Sequence, residues 1–245
     1  MGVFDLFPVL PLERVRQLSA IEPVPVQNSS DCHYVIDSDG RKWVRKVVTA
    51  SDLLSECVSF MLCRLLDVSV PGAAYLQQRD GDEPMWLSAV VDSVVHWNHR
   101  RAQILHDPSE LGGILAIDAL VGNFDRNHKN ILLTPNPDVT CMRVYGIDFA
   151  NSWVGSPRGF AELGLGVPDV TNHVRGVPVE AVSSGAQKVA LKLNKIHENE
   201  LSAIVANSCS VACEPQSDIL LSALRDRCAH AEQIVGRHLE SVAKL

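Results

Sequence analysis

Two strand-like runs around an Asp-Gly turn lead straight into a capped helix, and no other feature of the chain constrains its fold as strongly. H-Y-V-I at 33–36 and R-K-W-V-R-K-V-V at 41–48 flank D-S-D-G, the short-range signature of a β-hairpin. Thr49-Ala50-Ser51-Asp52 then reads as a capping box. Behind it Leu54, Val58, Met61, Leu62 and Leu65 recur at helical spacing, and the helix should stop before Pro71. Strand-like segments at 74–77 and 85–91 follow, separated by the turn R-D-G-D-E-P. Ahead of the hairpin, Pro8, Pro11, Pro23 and Pro25 punctuate residues 1–30, which read as an extended lead-in with V-P-V-Q as an edge strand. A small sheet with one helix is the expectation for this half.

From about residue 92 the pattern turns helical. Asp107 is an N-cap, Pro108 fills the first helical position and Glu110 the third, opening the apolar run E-L-G-G-I-L-A-I-D-A-L-V that stops at Gly122. Segments 131–133 and 144–147 read as short strands joined by T-P-N-P-D, Ser183-Ser184-Gly185 as a loop, and 186–206 and 217–243 as amphipathic helices. The fold class is therefore α+β: a small strand-rich N-lobe over residues 1–91 and a mainly helical C-lobe over 92–245. With 46% hydrophobic residues among 245, the chain has the material for a sizeable core and is not a disordered tail.

Twenty-two Lys+Arg against twenty-nine Asp+Glu leave a formal charge of −7, the wrong sign for holding nucleic acid through the overall field. The basic clusters Arg41-Lys42 to Arg45-Lys46 and His99-Arg100-Arg101 are short and read as solvated faces, so no direct nucleic-acid binding is expected. Seven scattered cysteines without a C-x-x-C suit a reducing compartment, with Cys57 and Cys63 as small buried hydrophobes. No apolar run is long enough to span a membrane. M-G-V-F-D-L carries an acid where a signal peptide needs a base, and Leu6 breaks the myristoylation pattern. A cytoplasmic protein without membrane contact is the expectation.

The chemistry concentrates in G-N-F-D-R-N-H-K-N, residues 122–130, a loop between a buried helix and a strand. Asp125 and Asn130 stand five positions apart, and Asp148 follows eighteen residues later in Y-G-I-D-F. A loop with D-x-x-x-x-N, then a hairpin ending in Asp before Phe, has the spacing of protein-kinase machinery. Phosphoryl transfer needs magnesium on hard oxygen ligands, such as an Asn carbonyl and an Asp carboxylate, and a separate carboxylate for the acceptor hydroxyl. An upstream strand lysine followed by a helix acid completes the set, and Lys46 and Glu56 fit that order, with Lys42 and Arg45 as rivals for Lys46. On a helical wheel Glu56 lies at about 200° from Leu54, opposite the apolar stripe, so it should face a cleft while the stripe packs elsewhere. The pair His96 and His99, the segment Gly164-Leu165-Gly166, and Cys209, Cys213 and His230 form no competing metal, dinucleotide or thiol site.

D-R-N-H-K-N and G-I-D-F-A-N-S-W, preceded by W-V-R-K and S-E-C-V-S-F-M-L-C-R-L-L-D-V-S-V-P, resemble the HipA-like kinase domain, a compact bacterial relative of HipA and of phosphatidylinositol kinases. The resemblance spans about residues 30–155 and is most specific in the loop. It implies a two-lobed protein-kinase-like fold using ATP and magnesium. Asp125 would be the catalytic base, Asn130 and Asp148 metal ligands, Lys46 the phosphate lysine and Glu56 its holder. A Ser or Thr of a protein is the implied acceptor; a silent nucleotide-binding regulator and a small-molecule or lipid kinase are the alternatives. Four features depart from the family: Phe149-Ala150 follows Asp148, Trp86-Leu87-Ser88 stands where a Phe-Gly-Ser-like element often precedes the hinge, the first turn is Asn28-Ser29-Ser30-Asp31 without glycine, and no long N-terminal HipA domain is expected.

Overall fold

Asp37 organises the hairpin in the computed structural model, which describes residues 12–23, 32–135 and 141–245. One of its carboxylate oxygens accepts the backbone N–H groups of Asp39 and Arg41, both at 2.9 Å. The other accepts Trp43 Nε1 at 2.9 Å and Arg41 Nε at 2.8 Å. Gly40 takes the left-handed conformation (φ +78) that closes the turn. The two arms are β3 (Cys32–Asp37) and β4 (Lys42–Lys46).

They belong to a six-stranded sheet with β1 (Glu13–Val15), β2 (Leu18–Pro23), β5 (Ala73–Leu76) and β6 (Met85–Ala89), in the order β1-β5-β6-β4-β3-β2. Only the β1–β5 pair is parallel. The lead-in thus supplies two strands at 13–15 and 18–23, which its prolines had hidden. V-P-V-Q and the Asn28–Asp31 turn lie outside the described residues. Alternation along β4 sends Trp43 into a cluster with Val15, Val35, Ala74, Leu76 and Leu87, and turns Val44 and Lys46 to the opposite face.

Helix α1 (Ala50–Leu66) starts with the expected box: Asp52 N–H donates to Thr49 Oγ1 at 3.1 Å and Thr49 N–H to Asp52 Oδ2 at 3.2 Å. It packs on α2 (Pro108–Val121) and α5 (Glu198–Ala212) and touches β6, so residues 53–59 are buried without interruption. A helix covered on several sides has no solvated face for Glu56. Helix α2 is capped by Asp107, whose carboxylate accepts Ser109 N–H at 2.8 Å, and residues 111–121 are all buried. It is the central rod of the helical half, and Gly122 ends it at φ 72.

Around α2 stand α4 (Val179–Leu193), α6 (Ser217–Ala229) and α7 (Ala231–Val242), and α3 (Pro157–Leu163) packs on α6. Three expectations change here. Residues 183–185 lie inside α4 rather than in a loop, because Gly185 is a contact residue: a Cβ there would sit 2.1 Å from Ser109 O. Gly112 makes the reciprocal approach, 2.1 Å from Val182 O, so α2 and α4 pack at backbone distance. The apolar period over 186–206 spans two helices. The chain turns at 194–197, where His197 N–H donates to Glu200 Oε2 at 2.9 Å and restarts as α5. The 217–243 period likewise breaks at His230 between α6 and α7.

A second sheet, β7 (Val95–His96), β8 (Ile131–Pro135) and β9 (Met142–Gly146), is antiparallel and carries the loop 122–130 at one end. The seven cysteines are free, with Cys57 and Cys63 buried as expected. Among the described residues no helix is long and apolar enough to cross a membrane.

Candidate active site

The loop after α2 is built from its own polar side chains. Asn123 Oδ1 accepts the N–H of Asp125 at 3.0 Å, and Asn127 Oδ1 accepts that of Lys129 at 2.9 Å. Asn130 Nδ2 donates back to Asp125 O at 2.9 Å. Asp125 and Asn130 are therefore locked together by the turn chemistry between them. Asn151 completes the arrangement from the far strand end, its Nδ2 donating to Asp125 Oδ2 at 3.1 Å while its backbone O accepts Phe124 N–H.

Beneath the loop lies a buried ion pair. The Arg126 guanidinium, wholly inaccessible, donates from Nε and Nη2 to the two oxygens of Asp118, each at 2.8 Å. Its Nη1 donates to Asn130 O at 2.7 Å and to Ile147 O, and the group lies 4.5 Å from the Phe149 ring centre. One side chain thus ties the loop to the end of β9. Asp118, the one acid in the buried stretch 111–121 of α2, was a legible signal that a buried cation must meet it.

Asp148 adopts φ 59, a left-handed conformation that Asp tolerates better than most residues. Just after it, Phe149 N–H donates to Glu56 Oε2 at 3.2 Å. The Asp148 carboxylate meets Lys46 Nζ at 2.5 Å, and the same ammonium lies 3.7 Å from Glu56 Oε1. Burial pushes the Glu56 carboxyl up, and Asp148 pushes the same way while Lys46 opposes both. Burial acts to lower the Lys46 pKa, but Glu56 and Asp148 together raise it above its ordinary value. Two carboxylates share one ammonium, so lysine keeps its proton and the deeper acid carries the strain of desolvation.

Lys46, Glu56, Asp125, Asn130 and Asp148 all line one cavity of about 490 Å3. Trp86, Phe60, Val70, Ala73, Val91 and Leu132 add apolar walls to it. Lys42 is exposed and Arg45 half-buried, and both lie outside that lining, so Lys46 is the β4 cation that reaches the cavity. The donors suit a magnesium ion. Asn130 spends its Nδ2 on the loop and keeps Oδ1 as an acceptor, and Asp148 offers a carboxylate on the same cavity wall. Among the described residues no three His, Cys, Asp or Glu side chains gather to hold a metal unaided. A divalent cation here would take its remaining oxygens from another molecule, as magnesium does from phosphates.

A strand lysine, a helix glutamate, a loop Asp-Asn pair and a following Asp around one cleft define a protein-kinase-like arrangement. Solved structures narrow the fold. The Helicobacter pylori proinflammatory kinase CtkA matches with a TM-score of 0.58 and 11% identity, over 96% of this chain and 99% of that one. HipA of the Shewanella oneidensis MR-1 toxin-antitoxin system, solved with HipB and operator DNA, matches with a TM-score of 0.51 and 11% identity over 89% and 67%. The fold is HipA-like. No protein-family model and no curated protein matches the chain.

Proposed function

We propose that the protein is a kinase that moves the γ-phosphoryl group of ATP to a hydroxyl, with a Ser or Thr of a protein as acceptor. The observation that carries this reading is the meeting of Lys46, Glu56, Asp125, Asn130 and Asp148, remote in sequence, around one cavity. The cleft lies between a strand-rich lobe, residues 1–91, and a helical lobe, residues 92–245. Asn130 and Asp148 would hold a magnesium ion, which would supply the positive charge that neutralises phosphate oxygens. Glu56 steadies Lys46, which exchanges its 2.5 Å contact with Asp148 for a phosphate oxygen. Asp125, turned by Asn151, orients the acceptor hydroxyl and takes its proton. The acceptor oxygen bonds to the γ-phosphorus as the bond to the β-phosphate oxygen breaks, and ADP leaves.

A second reading, a silent nucleotide-binding regulator, is favoured by the absence of glycine from residues 24–31, where a phosphate-covering turn would lie. One experiment separates the two: magnesium-dependent ATP turnover, with and without a lysate as acceptor, in wild type and Asp125→Asn. The kinase reading expects Asp125→Asn to bind Mg-ATP within a few-fold of wild type and to lose on the order of 10²–10⁴ in rate. Wild-type protein that binds Mg-ATP and transfers nothing would make the silent module the function.

A further inference from the structure

In a chain of net charge −7, three segments contain no acidic residue at all: 93–106, 126–135 and 170–179. The fold brings all three together. Trp97 N–H donates to His128 O at 3.2 Å and Ile131 O at 3.0 Å, and its Nε1 donates to Arg175 O at 3.1 Å. His96 Nδ1 lies 3.0 Å from Lys129 O, and His99 packs so closely on Gly176 that a Cβ there would come within 2.4 Å of its own. Val174 N–H donates to Arg126 O at 2.5 Å. The result is an exposed surface of His96, His99, Arg100, His128, Lys129 and Arg175. Among the described residues, none of these six side chains forms an ion pair with a carboxylate. Asp92, Asp107, Asp125, Asp169 and Glu180 bound the segments only at their ends.

The surface adjoins the cleft, because His96 and Lys129 also line the cavity that holds Asp125. We infer that it docks the acceptor, and that the acceptor is a protein segment with several Asp or Glu side chains beside the phosphorylated hydroxyl. This assignment of an acceptor rests on the kinase reading above. Charge complementarity at a local positive patch on a negative molecule selects partners and steers their approach. A peptide fits better than a nucleic acid. The one Trp, Tyr or Phe of the three segments, Trp97, is buried and offers no base a stacking face.

The test is equilibrium binding, which needs no phosphoryl transfer. Two fluorescein-labelled serine peptides, identical but for Glu against Gln at three flanking positions, are titrated with the full chain alongside a labelled oligothymidine. We expect the Glu peptide to bind about tenfold tighter at about 50 mM salt, with the preference shrinking at about 0.5 M. Arg100→Glu and Arg175→Glu should erase the preference, while melting temperature and Mg-ATP affinity show that each variant is folded. Equal binding of the two peptides, a preference that survives both reversals, or oligothymidine displacing the Glu peptide would each overturn the inference. Turnover read in parallel separates the two proposals. Acid preference without transfer by wild type removes the kinase reading and leaves the anionic-peptide surface. Transfer to serine peptides without acid preference does the reverse.

Discussion

Replacing Asp118 by Asn should cost this protein far more than a surface change. The substitution keeps shape but removes the charge that a wholly buried guanidinium faces, and it sets an amide N–H against one of the two Arg126 donors. Breaking a buried ion pair by removing one partner costs about 3–5 kcal/mol. For a chain of this size each kcal/mol lowers the melting temperature by roughly 2–4 °C, so the expected drop is about 6–20 °C. Arg126→Met should cost a similar amount, since it strands the carboxylate and releases Asn130 O and Ile147 O. The double variant Asp118→Asn/Arg126→Met removes both charges, and its loss should fall well short of the sum of the singles, with a coupling above about 2 kcal/mol. Urea melts of the four proteins measure this cycle. A single-variant cost below about 1 kcal/mol, or an additive double, would show that the pair does not hold the loop.

The remaining expectations touch other parts of the molecule. Burial pushes the His238 imidazole down to about 3, and it packs edge-on at 5.2 Å from His173, with Asp118 and Arg126 also acting on it. An unfolded histidine titrates near 6.5. The unfolded chain therefore binds the extra proton as pH falls below that value, and His238 alone should remove about 2 kcal/mol of stability between pH 7 and pH 5. His238→Leu should flatten that part of the stability profile, and an unchanged slope would count against it. Gly112→Ala should destabilise by about 1–3 kcal/mol or more because its Cβ meets Val182 O, whereas Gly236→Ala, with open space around it, should stabilise by up to about 1 kcal/mol in the same thermal melts. Lys46→Ala should weaken Mg-ATP binding in calorimetry while Lys42→Ala leaves it unchanged. Asp148→Ala should abolish the difference between ATP binding in magnesium and in EDTA.

The hairpin, the two capped helices and the loop residues were legible in the sequence because each is governed by near neighbours. An Asp-Gly turn, a Thr-x-x-Asp box, a Pro after an N-cap and a glycine at the helix end act within a few residues. The same holds for Asp125 and Asn130, which the loop's own Asn side chains and backbone lock together. Other features needed the third dimension. The period over 186–206 said where an apolar face runs and nothing of the turn at 194–197, because one continuous stripe serves one helix or two that turn over the same core. Gly185 read as a breaker, and its reason for being there is Ser109 on another helix. The position of Glu56 opposite the apolar stripe pointed it at a cleft, but only the packing of α1 between sheet and helices decided what forms the other walls of that cavity. Likewise Asn151 and Asp125, or Lys46 and Asp148, become partners only when distant segments are brought together. Local backbone and side-chain chemistry is written in the order of residues, but which buried charge meets which is decided by packing, where the cost of an unpaired group exceeds any local preference.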